Sequence, residues 1–135
     1  MIKKIEHIGI AVENSQKSNE IFEKLFGETS YKSELVESEG VKTYFYQLGE
    51  SKIELLEAVK ENSPIKKFIT KRGQGMHHIA FYVDDIHLEL DRLTNLGFEP
   101  IGGIKEGADN KLICFIHPKT TGGVLIELCQ EQGQL

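Results

Sequence analysis

The sequence predicts an α+β chain of two tandem βαβββ modules, related by a pseudo-twofold axis and forming a curved mixed sheet around a metal-containing cleft. Three observations predict it. A histidine opens a short apolar run twice, at residues 7–12 (HIGIAV) and 78–83 (HIAFYV). In each half an Ile-Glu-Leu triplet follows at nearly the same distance, centred on Glu54 and on Glu127. The order of strand-like and helix-like stretches is also the same on both sides of one linker, Lys71-Arg72-Gly73-Gln74-Gly75.

The chain has 135 residues, which suits a single domain over 1–135, long enough to bury a core. Its apolar share of 39% and charged share of 27% are those of an ordinary globular protein. A formal charge of −5 argues against nucleic acid, whose phosphates need a basic surface. Local lysines at 66, 67 and 71 leave room for a small anionic ligand. Cys114 and Cys129 lie in apolar strand-like runs without C-x-x-C spacing, so both read as buried reduced thiols. No apolar run reaches the ~18 residues of a membrane span. Glu6 and His7 interrupt any signal-peptide core after Lys3 and Lys4, and the expectation is a cytoplasmic protein.

Each element follows from local pattern. Residues 4–12 are rich in Ile and Val and read as a strand. Asn14-Ser15 offers an N-cap, and Ile21, Phe22, Leu25 and Phe26 recur at helical spacing until Gly27 stops the helix. A strand at 29–37, a turn at Ser38-Glu39-Gly40 and an alternating strand at 41–48 come next. The Gly49-Glu50-Ser51 hairpin then leads into a strand at 52–59. Asn62-Ser63-Pro64 opens a short helix to about residue 71, which ends module one (1–72). Module two (75–131) repeats the order with a strand at 76–83 and a helix from Asp85 to Leu96, stopped by Gly97. A strand near 98–104 runs into a Gly-rich loop at 102–110; strands at 111–117 and 123–129 flank the Pro118–Gly123 turn.

Side chains alternate across a strand, and that places the chemistry. His7 shares its face with Gly9 and Ala11, and His78 with Ala80 and Tyr82. Glu54 and Glu127 each point away from the Ile and Leu that flank them. In all four strands the bulky aliphatics are expected to face the helices and the polar residue a cavity. Two imidazoles and two carboxylates form a donor set for Zn²⁺, Ni²⁺, Co²⁺, Mn²⁺ or Fe²⁺, whereas Ca²⁺ prefers oxygen alone. His7, Glu54, His78 and Glu127 are therefore the expected ligands, with positions left open for a substrate that chelates through two oxygens. His77 points to the opposite face from His78, His87 falls on a helix and is expected to be solvated, and His117 before Pro118 reads as a turn residue.

At this point the residues resemble the vicinal-oxygen-chelate superfamily (glyoxalase, bleomycin resistance, dioxygenase), and within it the methylmalonyl-CoA epimerases. The resemblance rests on HIGIAV at 7–12, LGESKIELLEAV at 48–59, SPIKKFI at 63–69, GMHHIAFYVDDI at 75–86 and HPKTTGGVLIELCQ at 117–130, nearly the whole chain in order. It implies paired βαβββ modules, a homodimer, one divalent ion per chain (Co, Ni, Mn or Zn) on His7, Glu54, His78 and Glu127, and an acyl-CoA substrate. It also implies interconversion of (2R)- and (2S)-methylmalonyl-CoA by removal of the C2 proton, with an enolate-like charge stabilised by the metal. Inversion needs proton carriers on both faces of C2. Glu127 matches a family glutamate credited with ligation and proton transfer. The separate second glutamate of some members falls, counting from Gly40, on Thr43, which leaves Glu54 as the second carboxylate. Coenzyme A leaves little signature: Lys66, Lys67, Lys119 and the 102–107 loop are the candidates, and no phosphate loop is present.

Two rivals share the fold. Nickel-type glyoxalase I, acting on a methylglyoxal–thiol hemithioacetal, uses the same ligand types; the SPI helix opening and the GMHHI and HPK…GGVLIEL stretches favour the epimerases. Metal-free small-molecule binding proteins of this fold lose part of the ligand set, whereas all four positions are filled here.

Overall fold

A computed structural model describes residues 1–133, which gather into two units. The first is His7–His77; the second joins Met1–Glu6 to the chain from His78 onward. In the first unit β1 (Ile2–Val12) lies parallel to β4 (Ser51–Ala58), and antiparallel pairs link β4 to β3 (Val41–Leu48) and β3 to β2 (Lys32–Val36). In the second, β5 (Gly75–Val83) lies parallel to β8 (Ile126–Glu131), and antiparallel pairs link β8 to β7 (Lys111–Ile116) and β7 to β6 (Pro100–Glu106). The wiring is the same in both, β1-β4-β3-β2 against β5-β8-β7-β6. The repeated βαβββ order expected from sequence is therefore present.

The helices form where their caps predict. α1 (Ser15–Phe26) starts where the Asn14 side chain accepts from the Lys17 N–H at 3.0 Å, and ends at Gly27 with φ of 73°, a left-handed conformation that glycine adopts without a Cβ clash. It buries Phe22 and Phe26 against Ile10, Val12, Tyr46, Ile53 and Leu55, with the Phe26 ring edge-on to Tyr46 at 5.4 Å. α3 (Ile86–Asn95), capped by Asp85, does the same with Ile86, Leu90 and Leu93 against Val83, Cys114, Ile116 and Leu128. The flanking aliphatics of both Ile-Glu-Leu triplets thus face helices, as alternation requires. α2 (Pro64–Arg72), capped by Ser63, packs Ile65, Phe68 and Ile69 on Ala11, Val41 and Leu56. Those strand residues lie on the face that α1 leaves uncovered, so the first unit's sheet is clothed on both sides.

A second correspondence lies three residues beyond each glutamate of the repeat. Glu57 on β4 accepts from the Ser15 N–H at 2.9 Å and the Ser15 hydroxyl at 3.0 Å, at the first residue of α1. Gln130 on β8 accepts from the Ile86 N–H at 2.7 Å, at the first residue of α3. Each strand therefore satisfies an orphan donor at the start of the helix packed on it, and in the first unit the carboxylate also meets the positive end of the helix dipole. Glu57→Ala is expected to destabilise the fold by about 1–2 kcal/mol, and Glu57→Gln by less, read as the shift of the urea midpoint.

On α3, Glu89 is only 2% exposed and receives two hydrogen bonds from Arg92, at 2.9 and 2.8 Å. The guanidinium holds its carboxyl below the ordinary carboxylate value, against the opposing push of burial. A depressed folded-state pKa stabilises above the unfolded value and is lost as pH falls through the folded one. Arg92→Ala is therefore expected to destabilise the protein at neutral pH, and to move the acid limb of the stability profile to higher pH. Thermal melts across an acid pH series check both parts.

Some boundaries differ from the pattern reading. β6 runs through Gly102 and Gly103, which sequence placed at the start of a loop; they sit where the β6–β7 register shifts between Ile101 and Lys105, so they bulge the strand without ending it. The loop contracts to 107–110, where Asp109 and Asn110 take positive φ, and a Cβ on Gly107 would meet Ile113 at 2.7 Å. β2 starts at Lys32, later than 29, and β8 at Ile126, later than 123, because Pro118–Thr120 is a 3₁₀ turn followed by Gly122 and Gly123 at positive φ. Cys114 and Cys129 are both buried and are not joined by a disulfide. Among the described residues no helix is long and apolar enough to cross a membrane.

Candidate metal centre

The parallel strand pair is what positions each candidate donor couple. In the first unit the register sets Gly9 opposite Glu54; in the second it sets Ala80 opposite Glu127. Each small residue lies two places beyond a histidine, on the histidine's face. A glutamate on the neighbouring strand can therefore lean over the small residue toward the imidazole. It does so in both units: His7 Nδ1 lies 3.2 Å from Glu54 Oε2, and His78 Nε2 lies 3.1 Å from Glu127 Oε1. All four side chains are between 5% and 7% exposed.

Such a spacing suits a shared cation. Two donors bound to one ion at about 2.1 Å, at roughly a right angle, lie about 3 Å apart. The donors are also of the right type, since borderline divalent ions take imidazole and carboxylate together. A metal-free imidazole–carboxylate hydrogen bond has the same length, so metal binding is the property that separates the two states of each pair. Burial adds weight to the metal, because a buried carboxylate is costly unless a cation or several donors compensate it.

Across the next strand, each glutamate faces a phenylalanine that motif reading passed over. Phe45 on β3 is opposite Glu54, and Phe115 on β7 is opposite Glu127. Phe45 is fully buried, and Phe115 also stands edge-on to the His78 ring at 5.8 Å. Thr43, two residues before Phe45 and on its face, is 2% exposed, so the position expected to carry a second base holds a buried hydroxyl. A lysine ammonium lies over each ring: Lys32 over Phe45 at 4.7 Å and Lys105 over Phe115 at 5.8 Å. The phenylalanines recur at matching register positions, whereas the lysines do not: Lys32 pairs with Phe45, and Lys105 pairs with Ile113.

The other histidines stand apart from these pairs. His77 packs edge-on against Phe68 of α2 at 4.9 Å, His87 is exposed on α3, and His117 Nδ1 accepts from the Lys119 N–H at 3.1 Å, as a turn residue does. Among the lysines considered for coenzyme A, Lys66 and Lys67 are exposed, and Lys119 pairs with Glu99 at 3.0 Å.

Comparison with known proteins places this arrangement. The family model described as the glyoxalase/bleomycin resistance protein/dioxygenase superfamily matches residues 6–115. The mitochondrial methylmalonyl-CoA epimerase of Dictyostelium discoideum is 38% identical over 129 residues, covering 94% of this chain and 78% of that protein. The crystal structure of methylmalonyl-CoA epimerase from Mycobacterium tuberculosis superposes with a TM-score of 0.92 at 30% identity, covering 98% of this chain and 90% of that one. A methylmalonyl-CoA epimerase solved in complex with methylmalonyl-CoA and NH4+ superposes at 0.91 with 28% identity, covering 98% and 97%. The chain belongs to the glyoxalase/bleomycin resistance protein/dioxygenase superfamily and, within it, to the methylmalonyl-CoA epimerases, a family of isomerases.

Proposed function

We propose that this protein is a metal-dependent epimerase that interconverts (2R)- and (2S)-methylmalonyl-CoA. The observation that supports it most is a buried His–Glu couple at the same register position of two identically wired modules, in a chain 38% identical to a methylmalonyl-CoA epimerase. In this reading His7, Glu54, His78 and Glu127 together hold one Co, Ni, Mn or Zn ion, and the chain works as a single domain, in a homodimer, in the cytoplasm. A divalent ion held there supplies positive charge for the oxygen on which negative charge develops as the C2 proton leaves.

The chain's own residues do the rest. Glu127 takes the proton from one face of C2 and Glu54 serves the other, each carboxylate exchanging one proton with carbon. Thr43 cannot take that part, since an aliphatic hydroxyl is too weak a base near neutral pH. Each carboxylate has a buried apolar neighbour, Phe45 beside Glu54 and Ala80 beside Glu127, which excludes water so that protons pass between carbon and carboxylate.

The test is incubation of the metal-loaded protein with methylmalonyl-CoA in deuterated water. Deuterium is expected at C2 together with equilibration of the two epimers. Absence of exchange, with turnover of the methylglyoxal–thiol hemithioacetal in its place, would make the protein a glyoxalase.

A further inference from the structure

The sequence leaves the helix face of the second unit short of aromatic volume. In the first unit Phe22 and Phe26 of α1 and Tyr46 of β3 pack together between helix and sheet, with ring centroids between 5.4 and 6.5 Å apart. The repeat gives each of them a counterpart. Ser15 and Ile86 are the first residues of α1 and α3, so Phe22 matches Leu93 and Phe26 matches Gly97. Tyr46 and Ile116 each follow the phenylalanine opposite a glutamate, so they match as well. Three aromatic side chains are thus replaced by leucine, glycine and isoleucine.

The space they leave is a cavity of about 130 Å³, bounded by Phe81, Leu93, Phe98, Ile116, Ile126 and Leu128. Phe81 stands where the first unit has Ile10, and with Phe98 it returns only part of the missing volume. Ile2, 42% exposed, forms the rim and leaves a way in. Thr121 also borders the cavity, with its hydroxyl directed at the Pro118 carbonyl at 3.3 Å and at the Val124 carbonyl. Every lining residue belongs to the second unit. Ile126 and Leu128 flank Glu127, so the cavity lies on the opposite face of β8 from that candidate metal donor.

The chemistry of the walls decides what can occupy it. Close-packed interiors leave few voids larger than one water molecule, so a space of this size is unusual. A buried water needs two to four hydrogen-bond partners, and these walls present none: apart from Thr121, whose hydroxyl is already engaged, every lining side chain is hydrocarbon. An engineered cavity of about 150 Å³ lined by Leu, Ile and Phe stays dry and binds benzene. We propose that this cavity is a binding site for an uncharged apolar molecule of about one six-membered ring. Such a ligand supplies the ring volume that the first unit carries in its own side chains. The site is separate from the donor face and independent of the epimerase reading.

The experiment is titration of the whole protein with benzene, read by thermal melts and by the methyl resonances of its leucines, isoleucines and valines. At about ten times its dissociation constant, benzene is expected to raise the melting temperature by about 4 °C. The methyl signals of Leu93, Ile126 and Leu128 are expected to shift, while those of Val12 and Leu55 on the first unit's helix face stay in place. Leu93→Phe restores the ring that Phe22 provides in the first unit, and is expected to remove both responses. Ile116→Phe carries the same comparison should Leu93→Phe not fold. A wild-type protein whose melting temperature and cavity methyls do not respond overturns the proposal. So does a response centred on residues outside the cavity, or one that both phenylalanine variants retain.

Discussion

Glu127→Gln is expected to lower kcat for epimerisation by about three orders of magnitude while the protein stays folded. The reasoning starts from shape. Glutamine has the volume of glutamate and keeps a carbonyl oxygen where Oε1 lies 3.1 Å from His78 Nε2, so β8 and its neighbours keep their packing. Leu128 and Ile126, which face α3, are untouched. What disappears is the negative charge and the capacity to accept a proton from carbon. General-base removal alone accounts for about 10²–10⁴ in rate, and a weaker ligand adds to it. The measurement is kcat at saturating metal and substrate, beside a thermal melt. A variant with near-wild-type kcat would remove Glu127 from the chemistry. The companion Glu54→Gln is expected to be milder for metal binding, since an amide oxygen still ligates, and to lose exchange on the second face of C2.

Much of this was legible because the informative features are local and repeated. Strand alternation alone separates His7 from Ile8 and Glu54 from Leu55, and the same parity in the second half gives His78 and Glu127. The helix caps at Asn14, Ser63 and Asp85 were readable for the same reason, since each is decided within four residues. The less legible features depend on which strands become neighbours. Phe45 and Phe115 look like ordinary core residues until the β3–β4 and β7–β8 registers place them beside the two glutamates. Glu57 and Gln130 read as strand polar residues until the helix starts arrive beside them. Gly102 and Gly103 read as loop because a glycine pair carries no sign that tells a bulge from a break. A neighbouring strand supplies that sign, in the shifted pairing of Ile101 and Lys105.

His7→Ala and His78→Ala are expected each to abolish tight binding of the same single ion, and the two together no more than either alone. The argument turns on what the His–Glu distances mean. If each couple were a self-sufficient hydrogen bond, 3.2 Å in one unit and 3.1 Å in the other, removing either histidine would leave the other couple's properties untouched. If both couples serve one ion, either loss removes a quarter of the donors and strands two buried carboxylates beside a weakened cation. Loss of a partner that merely orients a ligand already costs about 10–100-fold in metal affinity, so loss of a ligand should cost at least about a hundredfold. Titration calorimetry with Zn²⁺ or Co²⁺ reads the stoichiometry, expected at one ion per chain, and the non-additivity of the two substitutions reads the sharing. Stability gives an independent measure. An ion present at a hundred times its dissociation constant raises unfolding free energy by about 2.7 kcal/mol, so chelator should lower the wild-type melting temperature and leave both variants unmoved. Affinity should also fall as pH falls, because only a neutral imidazole offers its lone pair. Two ions per chain, or a His7→Ala protein that keeps one ion at wild-type affinity, would divide the centre into two separate couples and remove the shared metal from the mechanism.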